Sequence, residues 1–375
     1  MRVRRRGASP VSARLACGVA LVLSFGLWAA FAASPAHAGN VDTVEESRKE
    51  GVRLHDAADY LGAMTVYRSI LQEHPHDPRT VYELALSWMS VGKDLEGLAR
   101  FIESELGSGV EQMAGLHVIL GSVYDGLHDY AKAEGAFRRG VEAAPKDAVA
   151  RYNLGVNLTL QERWADAASS FQDALRLRPT HASAWKGLAA AQEQLGHGTR
   201  AFFAHARVAT IEPTSDRGKA SAGRLWPLLF EHVQDKGTPD ATTGKRHISI
   251  TIPGDKREAD EGVASDAEPP LESLELMSTA ILAANRYVEK WEKKTDAAFF
   301  ADAMESLPQM LAEFGAQDKD PFWSLTLPFF LEARAKGHCE ALAYDLRSIT
   351  GDPDAQVWIT KHARRVQAYS KWMGR

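Results

Sequence analysis

Between Ala114 and Pro213 the large and small apolar positions return at a fixed interval of 34 residues. One copy carries Leu120-Gly121, Tyr124, Ala133, Phe137 and Pro145. The next carries Leu154-Gly155, Ala167, Phe171, Ala174 and Pro179, and the third Trp185, Leu188-Ala189, Ala201, Val208 and Pro213. Ala167, Phe171 and Ala174 are spaced four and three apart, which puts them on one helical face. The middle copy predicts a first helix from Ala148 to Gln161 and a second from Trp164 to Arg178. Gly155 and Ala167 are small where the two helices approach, and Phe171 fills the space beside them. Pro179 lacks an N–H and clashes with the preceding turn, so it stops the second helix. One such hairpin cannot bury its own apolar face, whereas stacked neighbours bury it for one another.

This period and residue set resemble the tetratricopeptide repeat. The resemblance implies an all-α superhelix of helical hairpins in which the signature residues pack and the first helices line a concave face. Positions on that face outside the signature are Val118, Ser122, Tyr152, Asn153, Val156 and Lys186, which makes them the expected partner-binding groove. Two weaker copies come earlier: Gly51, Leu54, Ala63, Tyr67 and Pro75, then Leu84-Ala85, Trp88, Gly97 and Phe101. About five hairpins are therefore expected in a repeat domain spanning 41–215, with two residues inserted in the loop Gly107 to Gln112. His205 stands where Phe is usual, which suggests a loosened or terminal repeat. Some cytosolic members of the family hold a C-terminal carboxylate in a polar clamp. Asn153 and Lys186 match it, but Val118, Tyr152 and Ser183 do not, so the clamp is incomplete. A mixed apolar and polar groove suits a helix or an extended peptide.

The N-terminus changes the picture of where the chain works. Arg2, Arg4, Arg5, Arg6 and Arg14 precede and flank an apolar run, Leu15 to Ala33, and Ala36-His37-Ala38 is an A-x-A cleavage pattern. This order is that of a signal peptide over 1–38, cleaved after Ala38, and it predicts a periplasmic or secreted protein. Retention of the 19-residue run as a membrane anchor is the alternative. Removing the five arginines from 44 basic residues leaves 39 against 49 acidic ones, a net charge of −10. An acidic surface of this kind offers no footprint for nucleic acid. Cys339 is then the one remaining cysteine, so no internal disulfide is expected.

After 215 the pattern lapses. Residues 216–270 read as a linker with a short apolar stretch at Leu225 to Val233, placed to cap the last repeat, and a strand at His247 to Ile252. Asp255 to Pro270 is acidic and poor in large apolar residues. Residues 271–375 read as a C-terminal helical domain, either a separate bundle or diverged hairpins. Its helices are expected over Leu271–Lys294, from an Asp296 cap to Phe314, from Asp320-Pro321 to Gly337 with a kink at Pro328, from His338 to Ile349, and from Asp352-Pro353 to Met373.

Chemistry-bearing motifs are few. His338-Cys339-Glu340 opens a helix, where a thiol can be acidified and act as nucleophile or ligand. No second cysteine, CxxC or HExxH accompanies it. His74-Pro75-His76-Asp77 lies in a loop between repeats. No catalytic residue, metal or cofactor is therefore assigned. The expectation is a noncatalytic protein–protein interaction scaffold of the bacterial cell envelope. The alternatives are an enzyme built around His338, Cys339 and Glu340, and a membrane-anchored assembly factor.

Overall fold

A computed structural model describes residues 38–108, 113–230, 233–235, 248–250, 271, 274, 275, 278, 279, 282 and 294–375. The chain divides into two compact units, Met1–Glu46 and Ser47–Arg375. Of the first, only the opening of helix α1 falls among the described residues; the expected signal peptide lies outside them.

Five helical hairpins follow one another: α1 (Ala38–Asp56) with α2 (Tyr60–Glu73), α3 (Pro78–Val91) with α4 (Leu95–Leu106), and α5 (Ala114–Gly126) with α6 (Tyr130–Ala143). Then come α7 (Ala148–Leu160) with α8 (Trp164–Leu177), and α9 (Ala182–Gln194) with α10 (Gly198–Ile211). The boundaries of α7 and α8 fall within a residue of those expected from the pattern. Aspartates start several helices: Asp77, Asp94, Asp129 and Asp147 each accept a backbone N–H of the first turn.

The small residues of the signature are clefts for rings. A Cβ on Gly155 would lie 2.7 Å from the Phe171 ring, and one on Gly187 would lie 2.5 Å from the same ring. Phe171 is thus clasped between the first helix of its own hairpin and that of the next. Gly121 holds Phe137 in the same way, at 2.5 Å. The next ring in this series is His205, which is buried and pairs its Nε2 with Glu193 at 2.8 Å. A polar contact through Nε2 therefore stands in place of the usual Phe packing, while Nδ1 is buried without a partner.

The linker expected from 216 begins differently. Helix α11 (Asp216–Phe230) starts 34 residues after α9, just as α9 starts 34 after α7. It is a first helix in repeat register, longer than the short cap expected at Leu225. Strand β1 (Val233–Asp235) pairs antiparallel with β2 (Ile248–Ile250), so the β segment finds its partner nearby.

The C-terminal region is helical. Residues 271, 274, 275, 278, 279 and 282 are helical, and the rest of that expected helix lies outside the described residues. Then follow α12 (Asp296–Glu313), α13 (Ala316–Lys319), α14 (Pro321–Ala335), α15 (Cys339–Ile349), α16 (Pro353–Lys361) and α17 (Ala363–Trp372). Thr295, not Asp296, caps α12. Helix α14 continues through Pro328, and the long last helix expected from Pro353 is parted at His362. These helices form no separate bundle, because one apolar cluster runs from Val81 in α3 to Tyr369 in α17. Phe203 of α10 meets Trp323 and Phe330 of α14 edge-on, with centroids 5.3 and 4.8 Å apart.

Candidate functional site

Residues 34 apart hold equivalent places on α5, α7, α9 and α11. Val118, Tyr152 and Lys186 therefore form one row along the stacked first helices, and Ser122 and Val156 form a second that continues to Ala190 and Arg224. Val118, Ser122, Tyr152, Asn153 and Val156 are half-buried and Lys186 is exposed.

Tyr152 does more than line this face. Its ring sits 4.8 Å from that of His181 and 5.9 Å from that of Phe171, so it packs one hairpin on the next. Burial pushes its phenol pKa up, against the opposing pull of the Ser183 hydroxyl and the Arg217 charge. Arg217 is not among the candidates drawn from the sequence. It stands 34 residues beyond Ser183, donates to its hydroxyl at 2.6 Å, and is paired with Glu212 at 2.7 Å. Its register with Ser183 is the signal that points to it. Arg224 pairs with Glu193 at 3.0 Å, and Glu193 also takes His205. Burial alone would raise the Glu193 pKa, but these two partners hold it down to about 2.

The C-terminal helices pack chiefly on α8, α10 and α11. These are the second helices of the last two hairpins and the first helix that follows them. The rows just described lie on the first helices α5, α7 and α9.

The other candidate motifs do not assemble. Cys339 is 4% exposed, and burial, seconded by the charge of Glu305, pushes its thiol up to about 11. The acidified thiol that a helix start allows is therefore not found: desolvation outweighs the helix terminus. His338 packs 5.3 Å from the Trp372 ring, while Glu340 pairs with Arg365, so the three side chains diverge. His76 pairs with Glu105 at 2.8 Å, and Asp77 binds Arg48 at 3.0 Å while capping α3. Among the described residues no group of three His, Cys, Asp or Glu side chains is placed to hold a metal. Among those residues, no helix is long and apolar enough to cross a membrane.

The hairpin geometry and the 34-residue register have a counterpart in sequence: residues 161–216 match the family model described as tetratricopeptide repeat. The chain carries tetratricopeptide repeats. Its repeat region is similar in fold to the crystal structure of MamA protein, at 19% identity over 46% of this chain and 93% of that one, with a TM-score of 0.40. The thermophilic tetratricopeptide repeat protein TTC0263 of Thermus thermophilus matches at 20% identity over 49% of this chain and 99% of that one, TM-score 0.42. MamA from Desulfovibrio magneticus RS-1 matches at 18% over 50% and 94%, TM-score 0.36. No curated protein matches the chain. Tetratricopeptide repeats are protein–protein interaction scaffolds, and that general role is the one their fold supports here.

Proposed function

We propose that the repeats bind a peptide segment of a protein partner along the first helices α5, α7 and α9, and that the chain is a noncatalytic adaptor of the bacterial cell envelope. The observation that carries this reading is the side on which the C-terminal helices pack. They pack on α8, α10 and α11, while Lys186 stays exposed and Val118, Ser122, Asn153 and Val156 stay half-buried on the first helices α5, α7 and α9. A half-buried face of mixed apolar and polar residues beside an exposed cation suits a peptide with apolar anchors and an acidic residue. Location in the periplasm or outside the cell rests on the signal-peptide pattern of residues 1–38. A start at Gly39 on N-terminal sequencing of the mature protein supports that location. A retained N-terminus supports the membrane-anchored alternative. The enzyme reading around Cys339 draws no support from a buried thiol with a raised pKa.

The test is affinity capture from an envelope extract with the native protein and the double variant Asn153→Ala/Lys186→Glu. These positions are preferred to Tyr152, whose ring packs hairpin on hairpin. A partner held by the native protein and lost from the folded variant supports the groove. Equal capture by both refutes it.

A further inference from the structure

Two arginines of α10 are almost wholly buried, and they are treated in opposite ways. Arg200 is 7% exposed and meets Glu275 through Nε and Nη2, both at 2.9 Å, and Asp320 through Nη1 at 3.1 Å. Arg207, two helical turns on, is 8% exposed. Its guanidinium lies over the Phe329 ring, 3.7 Å from the centroid, with the Trp185 ring 5.7 Å away. Among the described residues its side chain has no carboxylate partner and no hydrogen bond. Burial lowers its pKa to about 10, so it remains charged at neutral pH. A buried guanidinium that stays charged calls for an anion.

There is room for one. Arg207 lines a cavity of about 730 Å³ between the end of α10, α14 and the residues after α17. Lys336 and Arg375 also line it, against a single side-chain carboxylate, Glu332. Glu332 is already engaged by Lys336 at 2.7 Å and by the Trp372 indole at 3.1 Å. Arg375 pairs with Asp345 at 3.1 Å and donates to the Thr210 carbonyl. Arg207 is thus the cation of this cavity with its donors still unused. The remaining wall is apolar: Ile211, Phe329, Trp372 and Met373.

We propose that this cavity binds a small organic acid, its carboxylate held by the edge of the Arg207 guanidinium and its carbon skeleton against Phe329, Trp372 and Met373. The Phe329 ring against the guanidinium offers no acceptor and leaves the planar N–H fork, which matches a carboxylate in two-point geometry. The apolar wall favours an organic acid over inorganic phosphate. The site lies at the junction of α10 with the C-terminal helices, and none of its lining residues belongs to the peptide face proposed above.

The experiment is calorimetric titration and thermal shift of the whole chain with benzoate, succinate and inorganic phosphate, using native protein, Arg207→Gln and Arg207→Lys. The expected result is saturable binding of benzoate or succinate with a rise in melting temperature. Arg207→Gln should lose affinity about tenfold or more, and Arg207→Lys, which keeps charge but not the fork, should lose it too. Tighter binding of phosphate than of either acid would overturn the ligand class. No binding to the native protein at about 10 mM of any probe, or equal binding by native and Arg207→Lys, would overturn the proposal that the Arg207 fork holds an acid here. The native titration and the lysine variant decide the matter even if the glutamine variant folds poorly.

Discussion

Two glycines in neighbouring hairpins allow the packing argument to be isolated. Gly155 sits in α7 with the Phe171 ring where its Cβ would go, 2.7 Å away. Gly135 sits in α6 with nothing within 4 Å of a Cβ. Replacing either by Ala gains helix propensity, about 1 kcal/mol, because glycine loses more backbone freedom. Only Gly155→Ala adds a methyl group into an occupied space. Relief would require the ring to retreat by roughly 0.7 Å to ordinary contact at about 3.4 Å. It has nowhere to go, since Gly187 of α9 already presses the same ring at 2.5 Å from a notional Cβ. Overpacking costs about 1–3 kcal/mol. Gly135→Ala should thus be stabilising by up to about 1 kcal/mol and Gly155→Ala destabilising, with the difference between them reporting the steric cost. Urea unfolding followed by circular dichroism measures both midpoints. If Gly155→Ala unfolds at the same urea concentration as Gly135→Ala, the ring is not clasped and the repeat-packing account is wrong.

Two further consequences concern titratable groups. Burial raises the Asp125 carboxyl to about 6, although Asn157 Nδ2 donates to it at 2.6 Å and pulls the other way. A carboxyl with a raised folded pKa contributes stability that is present below its unfolded value and lost as pH rises through about 6. Asp125→Asn keeps an oxygen for Asn157 and should gain about 1–2 kcal/mol on native protein between pH 4 and pH 7.5, after allowance for solvent screening. A native-minus-variant difference that stays flat over that range would rule this out. Cys339, with its thiol pushed up to about 11, should react with iodoacetamide only when the chain is unfolded. Labelling of the folded protein at pH 7.5 as fast as that of free cysteine would return the thiol to the catalytic candidates.

The hairpins are legible in the sequence because every signature residue is set by a local contact that repeats. A cleft at Gly155 needs a ring sixteen positions on, and both are visible in the chain. Helix α11 is harder to read as a repeat helix, although Ala222-Gly223 stand where Leu154-Gly155 and Leu188-Ala189 stand in earlier copies. The small pair is hidden in a stretch rich in Ser, Lys and Arg, whose polarity reads as loop. The burial of Cys339 is beyond local pattern as well. It depends on α15 packing against α12 and on the charge of Glu305, both tertiary facts. Likewise nothing periodic distinguishes Arg207 from Arg200, since their fates are decided by residues of distant helices.

Helix α10 explains why the C-terminal helices belong to the repeat structure. Every residue from Gly198 to Thr210 is buried, so this helix is enclosed on all sides. A second helix at the end of an uncapped stack would show one polar face to water. Here that face carries Thr199, Arg200, His205 and Arg207, and burying it requires partners for each. Thr199 finds Thr279 at 2.7 Å, Arg200 finds Glu275 and Asp320, and His205 finds Glu193. Trp323 adds its indole N–H to Glu275, tying α14 into the same network. Partners are thus in place at three of the four positions, two of them supplied by the C-terminal region. Among the described residues the fourth, Arg207, meets only the rings of Phe329 and Trp185 and opens on a cavity, so its charge is the one on this face that the fold itself leaves without an anion.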